Sequence, residues 1–132
     1  MTSIDKDALV TSMPLAVQLG IALQVAGPDG VEGTMSWAPE RTTAAGLLHG
    51  GALMTFADSL GAVCAFLNLP EGAGTSTIES KTNFFRGVRE GMLTGKARPV
   101  HVGRRTIGVQ TEVHDADGKL VSLTFQTQAV LT

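Results

Sequence analysis

The spacing of apolar residues predicts one long helix in the middle of the chain. Between His49 and Leu67, apolar side chains recur at intervals of three and four residues, which is typical of an α-helix. Most other positions in this segment are also small or apolar, so we expect the helix to be buried. Pro70 and Gly72 follow it and predict its end.

Extended segments lie on both sides of this helix. Residues 20–25 and 31–37 flank the turn sequence Gly27-Pro28-Asp29-Gly30, which together predict a hairpin. After the helix, segments rich in Val, Ile, Thr and Phe predict strands over residues 75–85, 92–102, 106–114 and 120–130. The sequence Asp115-Ala116-Asp117-Gly118 predicts a tight turn between the last two.

The order of these elements predicts an α+β fold with an antiparallel sheet. Residues 8–19 favour a short opening helix broken at Pro14, and residues 38–48 favour a loop. The predicted order is therefore helix, two strands, long helix and four strands. One sheet of this size cannot cover a helix that is apolar on every side. We expect the sheet to curve around the helix and a second chain to cover the rest.

Length and composition favour a single cytoplasmic domain over residues 1–132. The net charge of −2 argues against nucleic acid as a partner, and no apolar stretch is long enough to predict a membrane anchor or a signal peptide. The one cysteine, Cys64, excludes an internal disulfide and is interpreted as a small core residue. The scattered histidines lack ligand spacing, and no nucleotide-binding motif occurs, so we expect no metal and no cofactor.

Asp58 is the only fully charged side chain between His49 and Leu67. Burying an unpaired carboxylate costs several kcal/mol, so a residue that served packing alone would be apolar. Two interpretations follow from this pattern. Asp58 belongs to a functional site, or it lies on an exposed strip of the helix.

The sequence His49-Gly50-Gly51 opens the same helix. Free backbone N–H groups and the positive end of the helix dipole can stabilise an oxyanion there, although small residues are also common at an ordinary helix start. Gly50 and Asp58 are eight residues apart, which is about 12 Å of rise along a helix. One reacting carbon cannot contact both groups in a single chain. A shared reaction centre therefore predicts a dimer with composite sites.

Two motifs resemble the signature of hotdog-fold thioesterases. The first is Ala45-Gly46-Leu47-Leu48-His49-Gly50-Gly51-Ala52-Leu53 with the following Phe56-Ala57-Asp58-Ser59, and the second is the segment from Thr77 to Arg86. Gly103-Arg104-Arg105 and residues 117–121 are similar to later turns of the same proteins. The resemblance covers residues 8–131 and is strongest to the PaaI-like group, which is related to the 4-hydroxybenzoyl-CoA thioesterases.

The resemblance implies a long helix wrapped by a curved antiparallel sheet, in dimers that pair into tetramers. It implies that Gly50 is the oxyanion-hole glycine and that Asp58 of the partner subunit is the catalytic carboxylate. The Ser or Thr that orients water corresponds to Thr77, with Ser76 as the alternative. Thr43 stands where these enzymes usually have Asn or Gln, so a shorter side chain without an amide replaces a group that orients water or the acid.

Other residues are candidates for binding the substrate. His49 and Gly51 flank the predicted oxyanion hole, and His49 either fixes the loop or contacts the substrate. Arg86, Arg104 and Arg105 are candidates for the phosphates of coenzyme A, because guanidinium groups bind phosphate in a bidentate way. Each of these arginines could equally be a solvated turn residue.

The reaction that the resemblance implies is hydrolysis of an aromatic or medium-chain acyl-CoA, in which coenzyme A is part of the substrate. Asp58 either activates water or attacks the thioester directly, and the sequence leaves both open. One alternative is a hotdog dehydratase or hydratase that uses His49 with Asp58. A further alternative, favoured by Thr43, is a protein that binds acyl-CoA without hydrolysing it.

Overall fold

A six-stranded antiparallel sheet curves around one long helix, as the order of the elements predicts. The computed structural model describes residues 4–132, so residues 1–3 of the predicted domain lie outside the described part. Within the described residues, no helix is long and apolar enough to cross a membrane.

The chain begins with two short helices rather than one. Helix α1 covers Lys6–Thr11, and helix α2 covers Pro14–Gln18. The predicted break is confirmed, because Pro14 is the first residue of α2, where its missing N–H costs no hydrogen bond. The Asp5 side chain caps α1 by accepting a hydrogen bond of 3.0 Å from the Ala8 N–H.

The six strands agree with the predicted ones to within about two residues. They are β1 Ala22–Gly27, β2 Gly30–Ser36, β3 Gly74–Phe84, β4 Met92–Val102, β5 Thr106–His114 and β6 Leu120–Leu131. Their order in the sheet is β1-β2-β4-β5-β6-β3, and all neighbours are antiparallel. Strand β3 therefore pairs with β6 on one side and has a free edge on the other.

The long helix, α3, covers Gly50–Phe66, with His49 as its N-cap and Leu67 as its C-cap. The preceding loop contains two short 3-10 turns, Pro39–Arg41 and Ala44–Gly46. The second turn brings Ala45 to a φ of 63°, which is unusual for a residue other than glycine. The loop thereby reaches the start of α3, where Leu48 is buried and its N–H bonds to the Val88 carbonyl.

Paired glycines allow α3 to pack closely on the sheet. Gly33 of β2 and Gly95 of β4 lie opposite each other in register, and Leu60 of α3 contacts both. A Cβ at Gly95 would overlap Leu60 Cδ1 and would lie 2.9 Å from Phe56 Cζ. Leu60 and Phe56 are themselves fully buried.

On the face of the sheet that α3 covers, the character of the side chains changes from one group of strands to another. Its β2, β4 and β5 side consists largely of apolar residues that are at most 2% exposed: Val31, Met35, Leu93, Ala97, Ile107, Val109 and Val113. On β6, in contrast, alternate buried positions are polar: Ser122, Thr124, Gln126 and Gln128. A hydroxyl or an amide therefore replaces the usual aliphatic lining next to β3.

One stripe of α3 remains uncovered in a single chain. Ten residues of the helix are buried, but Gly51, Met54 and Phe66 are exposed, and Asp58 and Ala62 between them are half-buried. The expectation that the helix is buried all round is therefore met on every side except this stripe. Asp58 lies half-buried on this stripe, as the interpretation of an exposed strip predicts, and its membership of a functional site stays a prediction.

Candidate active site

Asp58 lies beside strands β3 and β6, which supply its hydrogen bonds. Its Oδ1 accepts from Gln126 Nε2 at 3.0 Å and lies 2.9 Å from the Thr77 hydroxyl, whose single hydrogen is shared between Asp58 Oδ1 and Gln128 Oε1 at 2.5 Å. Among the described residues, no donor lies within hydrogen-bond distance of Oδ2. One carboxylate oxygen is thus fixed by the fold, while the other remains free to act on a ligand.

The two glutamines of β6 were not predicted as site residues. Gln126 and Gln128 are 0% and 1% exposed, although amides are usually on the surface. Gln126 Nε2 also donates to Gln128 Oε1 at 2.9 Å, and Gln128 Nε2 donates to the Thr75 hydroxyl at 3.1 Å. The signal in the sequence was the alternation Ser122, Thr124, Gln126, Gln128, which is a polar face of period two within a strand.

The start of α3 leaves one backbone donor free. His49 Nδ1 accepts from the Gly51 N–H at 2.8 Å, and the His49 carbonyl accepts from the N–H groups of Ala52 and Leu53. The Gly50 N–H has no partner among the described residues. His49 therefore caps the helix, which agrees with its predicted role of fixing the loop. The free N–H of Gly50 remains available as a hydrogen-bond donor.

The Gly50 end of the helix opens into a cleft. Thr43, Gly50 and Arg86 line it, together with Phe84 and Phe85, which are 47% and 58% exposed. A Cβ at Gly50 would lie 3.5 Å from the Phe84 ring. The structure thus brings together Thr43, Gly50 and one of the three predicted arginines.

The remaining candidates lie at the other end of β3. Ser76 pairs with Ala129, while Thr77 pairs with Gln128 and its hydroxyl contacts Asp58, so the two side chains point to opposite faces of the sheet. Arg104 and Arg105 are exposed in the turn between β4 and β5. Because Ala129 also pairs with Thr106, this turn lies near the Asp58 end of the sheet.

A single chain therefore carries two separate half-sites. We call the residues around the free Gly50 N–H the donor half-site, and those around Asp58 the acid half-site. Gly50 lines a cleft with Phe84, whereas Asp58 contacts Thr77, so the half-sites lie at different points along β3. Along α3, the eight residues from Gly50 to Asp58 correspond to a rise of about 12 Å.

An apolar cavity of about 190 Å³ adjoins the acid half-site. Ala62 and Phe66, one and two helical turns after Asp58, form one wall, and Thr75, two residues before Thr77, forms another. Leu9 and Met13 from the N-terminal segment close it on a third side.

Cys64 lies in the core and offers no nucleophile. Its side chain is fully buried, and this burial raises the pKa of the thiol to about 11. Within residues 4–132, no group of three or more His, Cys, Asp or Glu side chains is arranged to hold a metal ion.

Comparisons with known proteins agree with this architecture. Residues 45–122 match the family model described as the thioesterase superfamily. The 1,4-dihydroxy-2-naphthoyl-CoA hydrolase of Escherichia coli is 34% identical over 113 residues, which are 86% of this chain and 83% of that enzyme. A Vibrio cholerae relative is 40% identical over 85 residues, which are 64% of this chain and 57% of that protein.

Solved structures give the same result over nearly the whole chain. A Pseudomonas aeruginosa thioesterase, crystallised as a mutant, superposes with a TM-score of 0.92 at 28% identity, covering 98% of this chain and 96% of that one. A Haemophilus influenzae thioesterase gives a TM-score of 0.92 at 27% identity, covering 99% and 93%. The predicted hotdog fold is confirmed, and this chain belongs to the thioesterase superfamily.

Proposed function

We propose that this protein hydrolyses acyl-CoA thioesters to a free acid and coenzyme A in a site shared by two subunits. The observation that carries the proposal is the pair of half-sites: a free helix N-terminal donor at Gly50 and a carboxylate at Asp58 with one oxygen unoccupied. Neither half is sufficient alone, because ester hydrolysis requires both stabilisation of the oxyanion and a base or nucleophile.

The donor half-site would bind the thioester oxygen. The Gly50 N–H is the first donor of α3, so the positive end of the helix dipole adds to its hydrogen bond. As the carbonyl carbon is attacked, charge develops on its oxygen, and one such donor is worth about 2.7–4 kcal/mol. The hydrogen bond from the Gly51 N–H to His49 leaves Gly50 as the donor that remains for the substrate.

The acid half-site would supply the attacking group. Gln126 holds Oδ1 of Asp58 with the shared Thr77 hydroxyl beside it, so Oδ2 can either take a proton from water or attack the carbonyl carbon. In the water route, the proton moves to Asp58 and later to the leaving thiolate. In the anhydride route, Asp58 bonds to the carbonyl carbon, the C–S bond breaks and the thiolate of coenzyme A leaves; water then hydrolyses the anhydride to the free acid and restores the carboxylate.

The free edge of β3 supports the dimer. It is 11 residues long, and unpaired strand edges of this length readily pair with another strand. Ile78, which is 62% exposed, lies on this strand, and the exposed Phe84 and Phe85 lie at its end. If two β3 strands pair antiparallel around an axis near Lys81, Phe84 of one chain comes beside Thr77 of the partner subunit. The donor half-site then meets the partner's acid half-site.

The cavity beside Asp58 would take the acyl group. Its volume of about 190 Å³ exceeds the roughly 150 Å³ of an engineered protein cavity that binds benzene, and its lining is largely apolar. A single aromatic ring or a short alkyl chain therefore fits. The name of the Escherichia coli relative contains a two-ring naphthoyl group, which supports an aromatic acyl group here, while the volume of this cavity favours a single ring.

The exposed arginines would bind the phosphates of coenzyme A. Arg86 lies in the donor half-site, while Arg104 and Arg105 lie near the acid end of the sheet. A composite site brings both ends together, so arginines from two subunits would surround one ligand. The dimer as the minimal active unit, its pairing into a tetramer and the cytoplasmic location stay predictions.

The first experiment measures thiol release from a panel of aromatic and aliphatic acyl-CoA substrates. We expect release of free coenzyme A, with a preference for single-ring acyl groups. Tight binding without release would instead favour a binding protein. Addition of water to an enoyl-CoA without release would favour a hydratase.

Subunit complementation then tests the composite site. Gly50→Pro removes the N–H and keeps the start of the helix, because proline is favoured at the first helical position and His49 already has the extended conformation that precedes proline. Its added Cβ would lie at an ordinary contact distance of 3.5 Å from the Phe84 ring. We expect losses of about 10²–10³-fold for this variant and about 10²–10⁴-fold for Asp58→Asn. A mixed dimer purified with two different tags contains one intact site, so it should recover about half of the native activity.

The complementation result separates the two geometries. If both groups of a site came from one chain, the mixed dimer would stay as inactive as its parents. A single turnover in ¹⁸O-labelled water tests the two routes for Asp58. The water route labels the acid product, whereas an unlabelled product, with its new oxygen from the carboxylate, identifies an anhydride that water opens at Cγ of Asp58.

A further inference from the structure

The Gln126 amide has an orientation that the Asp58 charge dictates. Both hydrogens of Nε2 are used, one toward Asp58 Oδ1 at 3.0 Å and one toward Gln128 Oε1 at 2.9 Å. The reversed amide would place its oxygen against a carboxylate and a second carbonyl oxygen. The donor therefore faces Asp58 whenever Asp58 is ionised.

Burial makes this amide costly unless it serves the carboxylate. Gln126 is 0% exposed, and its Oε1 has no hydrogen-bond partner among the described residues. An unpaired buried acceptor loses its hydration without compensation. An apolar side chain of the same size would avoid that cost, so packing does not explain the glutamine.

Gly61 of α3 provides the space that the Gln126 amide occupies. A Cβ at Gly61 would overlap Oε1 and Cδ of Gln126. Glycine in the interior of a helix is unfavourable relative to alanine, so this position also gives up helix stability. By these general rules, Gly61 and Gln126 each lower the stability of the fold, and together they place an amide donor beside Asp58.

A second glutamine holds the first. Gln128 Oε1 accepts from Gln126, and Gln128 Nε2 donates to the Thr75 hydroxyl at 3.1 Å. The polar chain thus runs from Asp58 through β6 to the start of β3, and each amide is fixed by the next. Side chains held in this way restrict the angle at which Oδ2 of Asp58 faces a substrate.

We infer that Gln126 is a positioning residue for Asp58 and that Gly61 is the glycine that makes room for it. The inference rests on the proposed function, because it takes Asp58 as the reacting carboxylate. Gln126 is not a catalytic residue in this scheme. It acts only through Asp58, by holding the direction of the carboxylate.

Gln126→Met tests the inference, because methionine keeps the length of the side chain and removes the donor. We expect kcat to fall about tenfold to hundredfold, as for loss of a hydrogen bond to a charged group, with KM within twofold of the native value. Gly61→Ala should lower kcat in the same way, since its methyl group displaces the amide. Thr124→Val is the matched control: this buried hydroxyl of β6 bonds to Thr82 instead of Asp58, so kcat should stay native.

A thermodynamic cycle gives a second result that does not depend on turnover. The change in the unfolding equilibrium constant caused by Gln126→Met is measured in the native chain and in Asp58→Ala, at equal protein concentration. We expect the two changes to differ by at least about fivefold, because the hydrogen bond is absent in the second background.

The outcomes separate the inference from the proposed function. A folded Gln126→Met variant that keeps kcat within threefold of native, or a cycle without coupling, overturns the role of Gln126. If the native chain cleaves no thioester, the proposed function fails, while the cycle still reports the coupling of Gln126 to Asp58. Should Gln126→Met fail to fold, Gly61→Ala carries the kinetic test, and a native kcat in that variant overturns the inference.

Discussion

At the scale of single residues, the Asp115 side chain stabilises a backbone turn through its hydrogen bonds. Asp115 begins the turn between β5 and β6, and its Oδ1 accepts from the N–H groups of Asp117 and Lys119, both at 2.9 Å. The Lys119 N–H is the largest cause that lowers the pKa of this carboxyl group, followed by the Asp117 N–H and the nearby cations of Arg86 and Lys119.

The lowered pKa predicts a pH-dependent contribution of Asp115 to stability. The ionised form is favoured in the folded state, so the stabilisation is present above the unfolded pKa of about 3.9 and is lost as the pH falls below it. We expect Asp115→Asn to lower the melting temperature at pH 7 and to make a shrinking difference as the pH approaches 3. Asp29→Asn, in the turn between β1 and β2, is the control, and a difference for Asp115→Asn that stays constant with pH would contradict the prediction.

The helix and the sheet fit together through glycine at defined points. Leu60 of α3 packs over Gly33 and Gly95, which lie opposite each other on neighbouring strands. Neither glycine has a positive φ, so space and not backbone conformation requires them. The contact sets how closely the helix approaches the sheet, and through it the height of Asp58 above β3 and β6.

Gly95→Ala should therefore destabilise the fold by about 1–3 kcal/mol, because its methyl group overlaps Leu60. Urea unfolding measures this effect. Gly27→Ala is the matched control, since a Cβ there would have no neighbour within 4 Å, and it should change stability by less than about 0.5 kcal/mol. Equal effects of the two substitutions would show that close packing is not the cause.

The elements were predictable from the sequence wherever local signals were strong. Strands β4 and β5 have the predicted bounds because Val and Thr runs end at glycine turns, and α3 differs by one residue at each end, where His49 and Leu67 serve as caps. Local signals did not predict which face of β6 turns toward the core. Alternation alone would turn Phe125 inward, yet Phe125 is 43% exposed and Gln126 is buried.

The reason why the polar face of β6 turns toward the core lies outside this strand. Gln126 faces inward because Asp58 accepts its hydrogen bond, and Asp58 is distant in sequence. The candidate residues Asp58 and Gly50 came from the single charge on α3, the glycines at its start and the spacing between them, while Thr77 came from the resemblance to the thioesterase family. The residues that support them depend on tertiary contacts, and a single sequence contains no direct record of those contacts.

At the scale of the whole molecule, the edge strand β3 and the uncovered stripe of α3 meet at the acid half-site. Thr77 belongs to the edge strand, and Asp58 to the stripe. A second chain that pairs with β3 would cover both, and it would turn the exposed aromatic residues Phe84 and Phe85 into contacts.

Cross-linking tests this assembly. In the proposed pairing, Lys81 lies opposite Lys81 of the partner subunit at a Cα distance of about 4.5–5.5 Å, which suits a disulfide. We expect Lys81→Cys to give a covalent dimer on mild oxidation, seen on a non-reducing gel. Lys96→Cys, on the exposed face of β4, should stay monomeric under denaturation, and buried Cys64 should add no background. Equal yields from both variants would rule out this register.

The polar lining of β6 has a consequence for protein engineering. A search for stabilising substitutions would select Gln126, Gln128 and Gly61 first, because two are buried amides and one is a glycine within a helix. Leucine or methionine in place of the two glutamines, and alanine in place of Gly61, would follow the general rules for raising the stability of a fold. We expect such a redesigned protein to melt at a lower temperature and to be a poorer enzyme, because a methyl group at position 61 would overlap the side chain at position 126, and an apolar residue at 126 would leave Oδ1 of Asp58 without its amide donor. The core positions that general rules rate as weakest are therefore those that a thermostability campaign should leave alone.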